Sequence, residues 1–232
     1  MEERAVDQKP QEPPGSPFAA SRLSTPVAEP PRLELLSRAA PAASPAPAAF
    51  RRRHFPGVAA ARWNDWRWQV RHRVGSREGL ARFLELAPQE EAAFSQGRGR
   101  LPLAITPYYL SLLPAADPGH PLRRTVVPSV LEHLPAPGES ADPLAEEADS
   151  PVPGLVHRYP DRVLLLATGF CSTYCRYCTR SRLVGGREPA RPRRDLETAL
   201  AYIADHPEVR DVLVSGGDPL TLSDQRLDWL LG

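Results

Sequence analysis

The chain has 232 residues, a formal net charge of +1, 41% apolar residues and 25% charged ones. Such a balance gives no global field for binding nucleic acid, and no apolar run approaches the length of a membrane span. The composition is that of a globular protein with disordered sequence attached, and an odd count of three cysteines does not suggest a disulfide scaffold.

Residues 1–57, rich in Pro, Ala, Ser and charge as in "PAASPAPAAF", read as a disordered tail that cannot bury enough apolar surface to offset chain entropy. The tail holds Lys9, the single lysine of the chain, and lacks the apolar stretch of a signal peptide, so the expected compartment is reducing cytoplasm. Residues 58–156 read as a helical region followed by an extended connection. In "ARWNDWRWQVRHRV", Trp63, Trp66, Val70 and Val74 fall on one helical stripe. Ser76 is placed to cap a next helix carrying Leu80, Phe83, Leu84 and Leu86, and "TPYYLSLL" predicts a further short one. Residues 114–160 are punctuated by proline and acidic, which predicts little regular structure.

Residues 157–232 change character. "RVLLLAT" is a short apolar run, as in a strand buried on both faces. Leu196, Ala199, Leu200 and Ile203 have helical spacing, with Asp195 placed to cap and Pro207 to close. "VRDVLVSGGD" predicts a second strand running into a glycine turn. Ser223 then caps "DQRLDWLLG", with Leu227, Leu230 and Leu231 on one side. Strand, loop, helix, strand, loop, helix is the repeat of a parallel α/β sheet or barrel. Two such units cannot close a barrel, so the expected fold is a partial (β/α) barrel behind a small helical region, in a sequence that looks cut short.

All three cysteines stand between those strands, in "GFCSTYCRYCTRSRLVGG". Cys171, Cys175 and Cys178 are spaced C-x3-C-x2-C. Structural zinc wants four protein ligands, and catalytic zinc sets usually include histidine; the nearest, His157, precedes the presumed strand. A thiol oxidoreductase wants C-x-x-C at a helix start, where a third cysteine has no part. A [4Fe–4S] cluster fits better: three thiolates leave one iron open for a small molecule. The loop also follows the C-terminal end of a strand, where parallel α/β folds place their chemistry. A zinc-held or redox-sensing module without catalysis is the alternative.

The cysteine spacing, with Tyr177 before the last thiol, resembles the signature of the radical S-adenosylmethionine (SAM) superfamily. "DPLAEEADSPVPGLVHRYPDR", "VRDVLVSGGDPLTLSDQRLDWL" and "WNDWRWQVRHR" are similar to segments of the lysine 2,3-aminomutase family, in order, from about residue 60 to 232. The resemblance implies a [4Fe–4S] cluster on Cys171, Cys175 and Cys178 that cleaves SAM to a radical. That radical takes a hydrogen from an amino acid whose α-amino group, held by pyridoxal phosphate (PLP), moves from C2 to C3. It further implies SAM contacts at Tyr177, Ser215, Gly216, Gly217 and Asp218, and the substrate carboxylate on Arg180. The PLP phosphate would meet Arg158, Tyr159 and Arg162, while the PLP-linking lysine has no counterpart in this chain, Lys9 being misplaced for it. Lysine is the implied substrate, with glutamate or arginine as alternatives. An external electron donor of the flavodoxin or ferredoxin type and a homo-oligomeric whole protein are also implied. Without the PLP lysine, the chain alone is expected to be inactive.

Overall fold

The computed structural model describes residues 45–96, 101–134, 137–186 and 191–232. The first of these corrects the tail boundary. Helix α1 (Pro45–His54) lies inside the expected tail and ends in Arg51, Arg52, Arg53 and His54, cations that suit a helix C-terminus. Phe50 anchors it, with ring centroids 5.5 Å from Phe83 and 6.5 Å from Trp63. The anchor is a single aromatic in an Ala/Pro context, too little for composition to register. Residues 1–44 lie outside the described residues.

The tryptophan stretch is two helices. α2 (Ala60–Trp63) stops, and α3 (Trp66–Arg71) starts afresh because the Asp65 carboxylate accepts from the Arg67 backbone N–H at 2.9 Å. The restart changes the phase of the stripe: Trp63 and Trp68 are buried at 4% exposure, whereas Trp66 stands 40% exposed. Val74 is not helical and forms a β-bridge with Ile105.

Ser76 caps α4 (Arg77–Ala81) as expected, through the Gly79 N–H at 3.1 Å. A helix that sequence reasoning missed, α5 (Pro88–Ser95), has a proline in its first turn and Glu90 reaching back to the Ala87 N–H at 2.8 Å. It shows no apolar stripe, so periodicity could not reveal it. Thr106 caps α6 (Pro107–Leu110). Leu80, Ile105, Leu110, Val126 and Val127 form the core of this region.

The proline-rich connection is more ordered than its composition predicts. It contains α7 (Pro121–Arg124) and a 3₁₀ turn, Val130–His133. Arg123 on α7 is fully buried. Its guanidinium holds Glu90 through two bonds of 2.9 and 2.6 Å and donates to the Ala115 carbonyl at 2.7 Å. Breaking such a buried pair from one side costs roughly 3–5 kcal/mol, because the surviving charge is left unpaired.

A three-stranded sheet in the order β1-β2-β3 makes the second region. β1 (Leu155–Tyr159) was expected to be part of the extended connection. It turns tightly at Pro160 and Asp161 and pairs antiparallel with β2 (Arg162–Thr168). β2 pairs parallel with β3 (Asp211–Gly216) after the crossover helix α8 (Arg193–Ala204), and α9 (Asp224–Leu231) follows. Val163, Leu165 and Ala167 pack on Leu196 and Ala199 of α8 and Leu230 of α9. Each leucine so buried contributes about 1.5–3 kcal/mol. Two details differ from expectation. Pro192, not Asp195, stands at the N-cap of α8, leaving Asp195 in its first turn. Leu231 is 71% exposed, while Trp229 and Leu227 pack against the core. Ser223 caps α9 as the sequence predicts. The chain is mixed α/β, with strand, loop, helix, strand and helix in the expected order.

Candidate functional site

The cysteine loop leaves β2 at Thr168 and is fixed by its own backbone. The Gly185 N–H donates to the Gly169 carbonyl at 2.9 Å, closing the neck of the loop. The glycine turn after β3 holds the first residues of the loop. The Gly217 N–H donates to the Thr168 carbonyl at 2.6 Å, and the Asp218 N–H to the Phe170 carbonyl at 2.7 Å. Both glycines are required for that approach. A Cβ on Gly217 would lie 2.2 Å from the Phe170 oxygen. A Cβ on Gly216, whose φ is +105°, would lie 2.3 Å from the Thr168 oxygen. The glycines therefore serve contact between the two motifs themselves. Asp218 also caps the 3₁₀ turn Pro219–Thr221 through the Leu220 N–H at 3.2 Å.

The helical region grips the same loop from the other side. Arg73 donates to the Cys171 carbonyl at 2.6 Å, its guanidinium 4.5 Å from the centre of the Phe170 ring. Arg176, from within the loop, ion-pairs with Glu132 and donates to the Pro102 carbonyl at 3.2 Å, while its backbone N–H donates to Thr125. Sequence reasoning assigned neither arginine a role.

The three cysteines form no disulfide and are partly buried. Cys171 and Cys178 pack against Leu101, Ala104, Tyr174 and Val184. Burial, followed by the neighbouring Cys178, Asp218 and Cys175, pushes the Cys171 thiol up to about 11. Burial and Cys178 also raise Cys175. Unaided, this loop disfavours thiolates; a bound cationic metal centre reverses that by holding the sulfurs deprotonated. Among the described residues no three His, Cys, Asp or Glu side chains converge on a single-ion site. A [4Fe–4S] cube takes its ligands at separate corners, and three adjacent thiols on one pinned loop suit it.

The other predicted residues fall in two places. Ser215, level with Leu166, lies on the sheet face turned away from α8 and α9, and Gly216, Gly217 and Asp218 lie against the loop. Tyr177 is 72% exposed. Arg158, Tyr159 and Arg162 all line one cleft of about 400 Å³, together with Leu144, Glu146 and Leu213. Both arginines already have partners. Arg158 pairs with Asp149 at 2.5 Å and donates to the Ala145 carbonyl at 3.1 Å. Arg162 pairs with Asp161 at 3.0 Å.

Arg180 is held by Glu146, a carboxylate that the sequence reading did not single out. Glu146 Oε1 accepts from Arg180 Nε at 2.9 Å and from Nη2 at 2.7 Å, and Oε2 lies 3.5 Å from Arg182. This pairing uses one edge of the guanidinium. No described residue accepts from Nη1, so the opposite edge remains for a second carboxylate. Glu146 is buried, and it joins Arg180 to the cleft of Arg158.

A cysteine triad on a loop after a parallel strand, braced by a glycine turn from the next strand, resembles the arrangement of a radical SAM protein. No family model matches the chain. The chain is 49% identical over 177 residues to L-lysine 2,3-aminomutase of Clostridium subterminale, covering 76% of this chain and 42% of that protein. It is 46% identical over 174 residues to L-lysine 2,3-aminomutase of Bacillus subtilis, covering 75% of this chain and 37% of the relative. Glutamate 2,3-aminomutase of Clostridioides difficile is 35% identical over 169 residues, covering 73% and 40%. Over the residues matched, the chain is similar to the lysine 2,3-aminomutase family. That family uses a [4Fe–4S] cluster, SAM and PLP. The chain spans about two-fifths of the length of the relatives named here.

Proposed function

We propose that this chain carries the cluster- and SAM-binding part of a PLP-dependent 2,3-aminomutase, with L-lysine as substrate. The observation that carries the reading is the direct bonding of the glycine turn to the cysteine loop. Two motifs 37 residues apart, counted from Cys178 to Ser215, are bonded into one site.

In this reading Cys171, Cys175 and Cys178 hold the cluster, and Ser215, Gly216, Gly217, Asp218 and Tyr177 face SAM. Arg180 presents its free edge to the substrate carboxylate while Glu146 fixes its orientation. Arg158, Tyr159 and Arg162 meet the PLP phosphate after exchanging their present carboxylate partners for it. The cluster and SAM, when bound, supply one-electron chemistry, and PLP supplies the handling of the amino group. The lysine that carries PLP is not Lys9. The sheet is the start of a (β/α) barrel, and the protein works in the cytoplasm as a homo-oligomer reduced by a flavodoxin- or ferredoxin-type donor. Lysine ranks above glutamate because the most similar relatives cited here are the lysine enzymes.

Anaerobic reconstitution with iron and sulfide tests the core of the reading. The expected product is a brown protein whose reduced form gives an electron-spin resonance signal that SAM alters. A colourless protein retaining one zinc per chain would instead establish the non-catalytic cysteine module. Borohydride treatment with PLP is expected to leave Lys9 unmodified; a stoichiometric pyridoxyl adduct on it would overturn that assignment.

A further inference from the structure

Arg73 lies about a hundred residues before the cysteine loop, yet it bonds to the backbone of the first thiol-bearing residue. Its guanidinium is placed by four contacts, the weakest a 3.5 Å bond from Nη1 to the Ser172 carbonyl. Nε donates to the Val70 carbonyl at the end of α3 at 3.1 Å, Nη1 donates to the Cys171 carbonyl at 2.6 Å, and the Phe170 ring lies beneath at 4.5 Å. The next residue, Val74, is fixed by a reciprocal pair of backbone bonds to Ile105, of 2.8 and 3.0 Å. The arginine therefore projects from a rigid point. Among the described residues it has no acidic partner, so its charge is not neutralised by an ion pair.

Thr168, Phe170 and Cys171 direct their carbonyls to three donors: the N–H groups of Gly217 and Asp218, and Arg73. The first two belong to the SAM motif. The third is supplied by a region that otherwise reads as packing. A lysine could keep the charge but could not reach Val70 and Cys171 together as a planar fork over an aromatic ring.

We propose that Arg73 is a positioning residue for the cluster: it sets the backbone of Cys171, and its positive charge favours the reduced cluster. The inference rests on the cluster reading above. Adding an electron makes the centre more negative, and reduction potentials respond to net charge and hydrogen bonding around the ligands. The helical region is thereby a working part of the cluster site.

The test uses the reconstituted 232-residue chain and its Arg73→Ala, Arg73→Lys and Arg77→Ala variants. Arg77 serves as the control because it pairs with Glu91 on the surface of the same region. Three quantities are read: the rate of iron loss to a chelator, the midpoint potential, and the spin-resonance spectrum of the reduced cluster. Arg73→Ala is expected to speed iron loss about tenfold, the scale of one charge-assisted hydrogen bond, to move the potential to more negative values, and to change the spectrum. Arg73→Lys should recover the potential in part but lose iron faster than wild type, and Arg77→Ala should match wild type. If Arg73→Ala is insoluble, Arg73→Lys carries the test by its iron loss. Arg73 variants with wild-type iron loss, potential and spectrum would overturn this inference alone. A wild-type chain that takes up no cluster would overturn the cluster reading and this inference with it.

Discussion

The cysteine loop and the β1–β2 hairpin differ in how they are held, although both are rich in arginine and both carry proposed cofactor contacts. Around the thiols the loop is fixed through its main chain, by Gly217, Asp218, Gly185 and Arg73 acting on carbonyls, while its arginines Arg176, Arg180 and Arg182 are ion-paired to Glu132, Glu146 and Glu147. Its thiols remain free of covalent partners. In the hairpin, whose strands pair through the backbone, the proposed ligand groups themselves are occupied, since Arg158 and Arg162 are tied to Asp149 and Asp161. A site held by its backbone is ready for a ligand. A site held by ion pairs must exchange partners, so its apparent affinity is reduced by the strength of the pairs it gives up.

That contrast can be broken most forcefully at the thiols. Replacing any one of Cys171, Cys175 or Cys178 with alanine should abolish stable cluster assembly, measured as iron and sulfide per chain, because the chain has no fourth cysteine. Next comes the main-chain contact. Gly217→Ala must displace Phe170, an overpacking that costs about 1–3 kcal/mol and should lower both melting temperature and cluster yield. Gly186→Ala, where an added Cβ meets nothing within 4 Å, is the matched control and should leave cluster yield unchanged.

Arg180 tests the proposed substrate contact in a lysine-turnover assay with the whole protein. Arg180→Ala should raise KM for lysine about tenfold or more, the worth of a charge-assisted bond of roughly 1.5–3 kcal/mol, with cluster content unaltered. Glu146→Gln should give a smaller rise, since it keeps an acceptor for the guanidinium. Unchanged kinetics in Arg180→Ala would remove it from the site.

The hairpin offers the smallest effect. Asp161 is held down to about 2 by its hydrogen bonds from Arg162 and then Arg210. A depressed carboxylate stabilises the fold above its unfolded pKa of about 3.9, and that contribution disappears as pH falls through its folded value. Asp161→Asn should therefore reduce the urea midpoint slightly at pH 7, and the gap to wild type should close towards pH 2. A gap that persists at pH 2 would mean that the pair is not its source.

The legible parts of the sequence were those with local causes. The thiol spacing, the apolar run of β2, the Ser76 and Ser223 caps and the glycine turn can each be read within a few residues. Sequence also placed the two βα units in order, because their apolar periods are strong. It misread the tryptophan stretch, since Asp65 restarts the helix and shifts the buried face from Trp66 to Trp68. It missed α5, whose stability comes from Glu90 and its buried pair with Arg123 rather than from an apolar stripe.

The sequence by itself determined the chemistry on offer: three thiols, a glycine pair, and arginines suited to carboxylates and phosphates. Only the tertiary structure decided which of those groups meet. Glu146 on Arg180, Arg73 on Cys171 and Gly217 on Thr168 are contacts between residues 34 to 98 positions apart. Pairings at that separation depend on chain closure around the two cores, so no local period or cap can encode them.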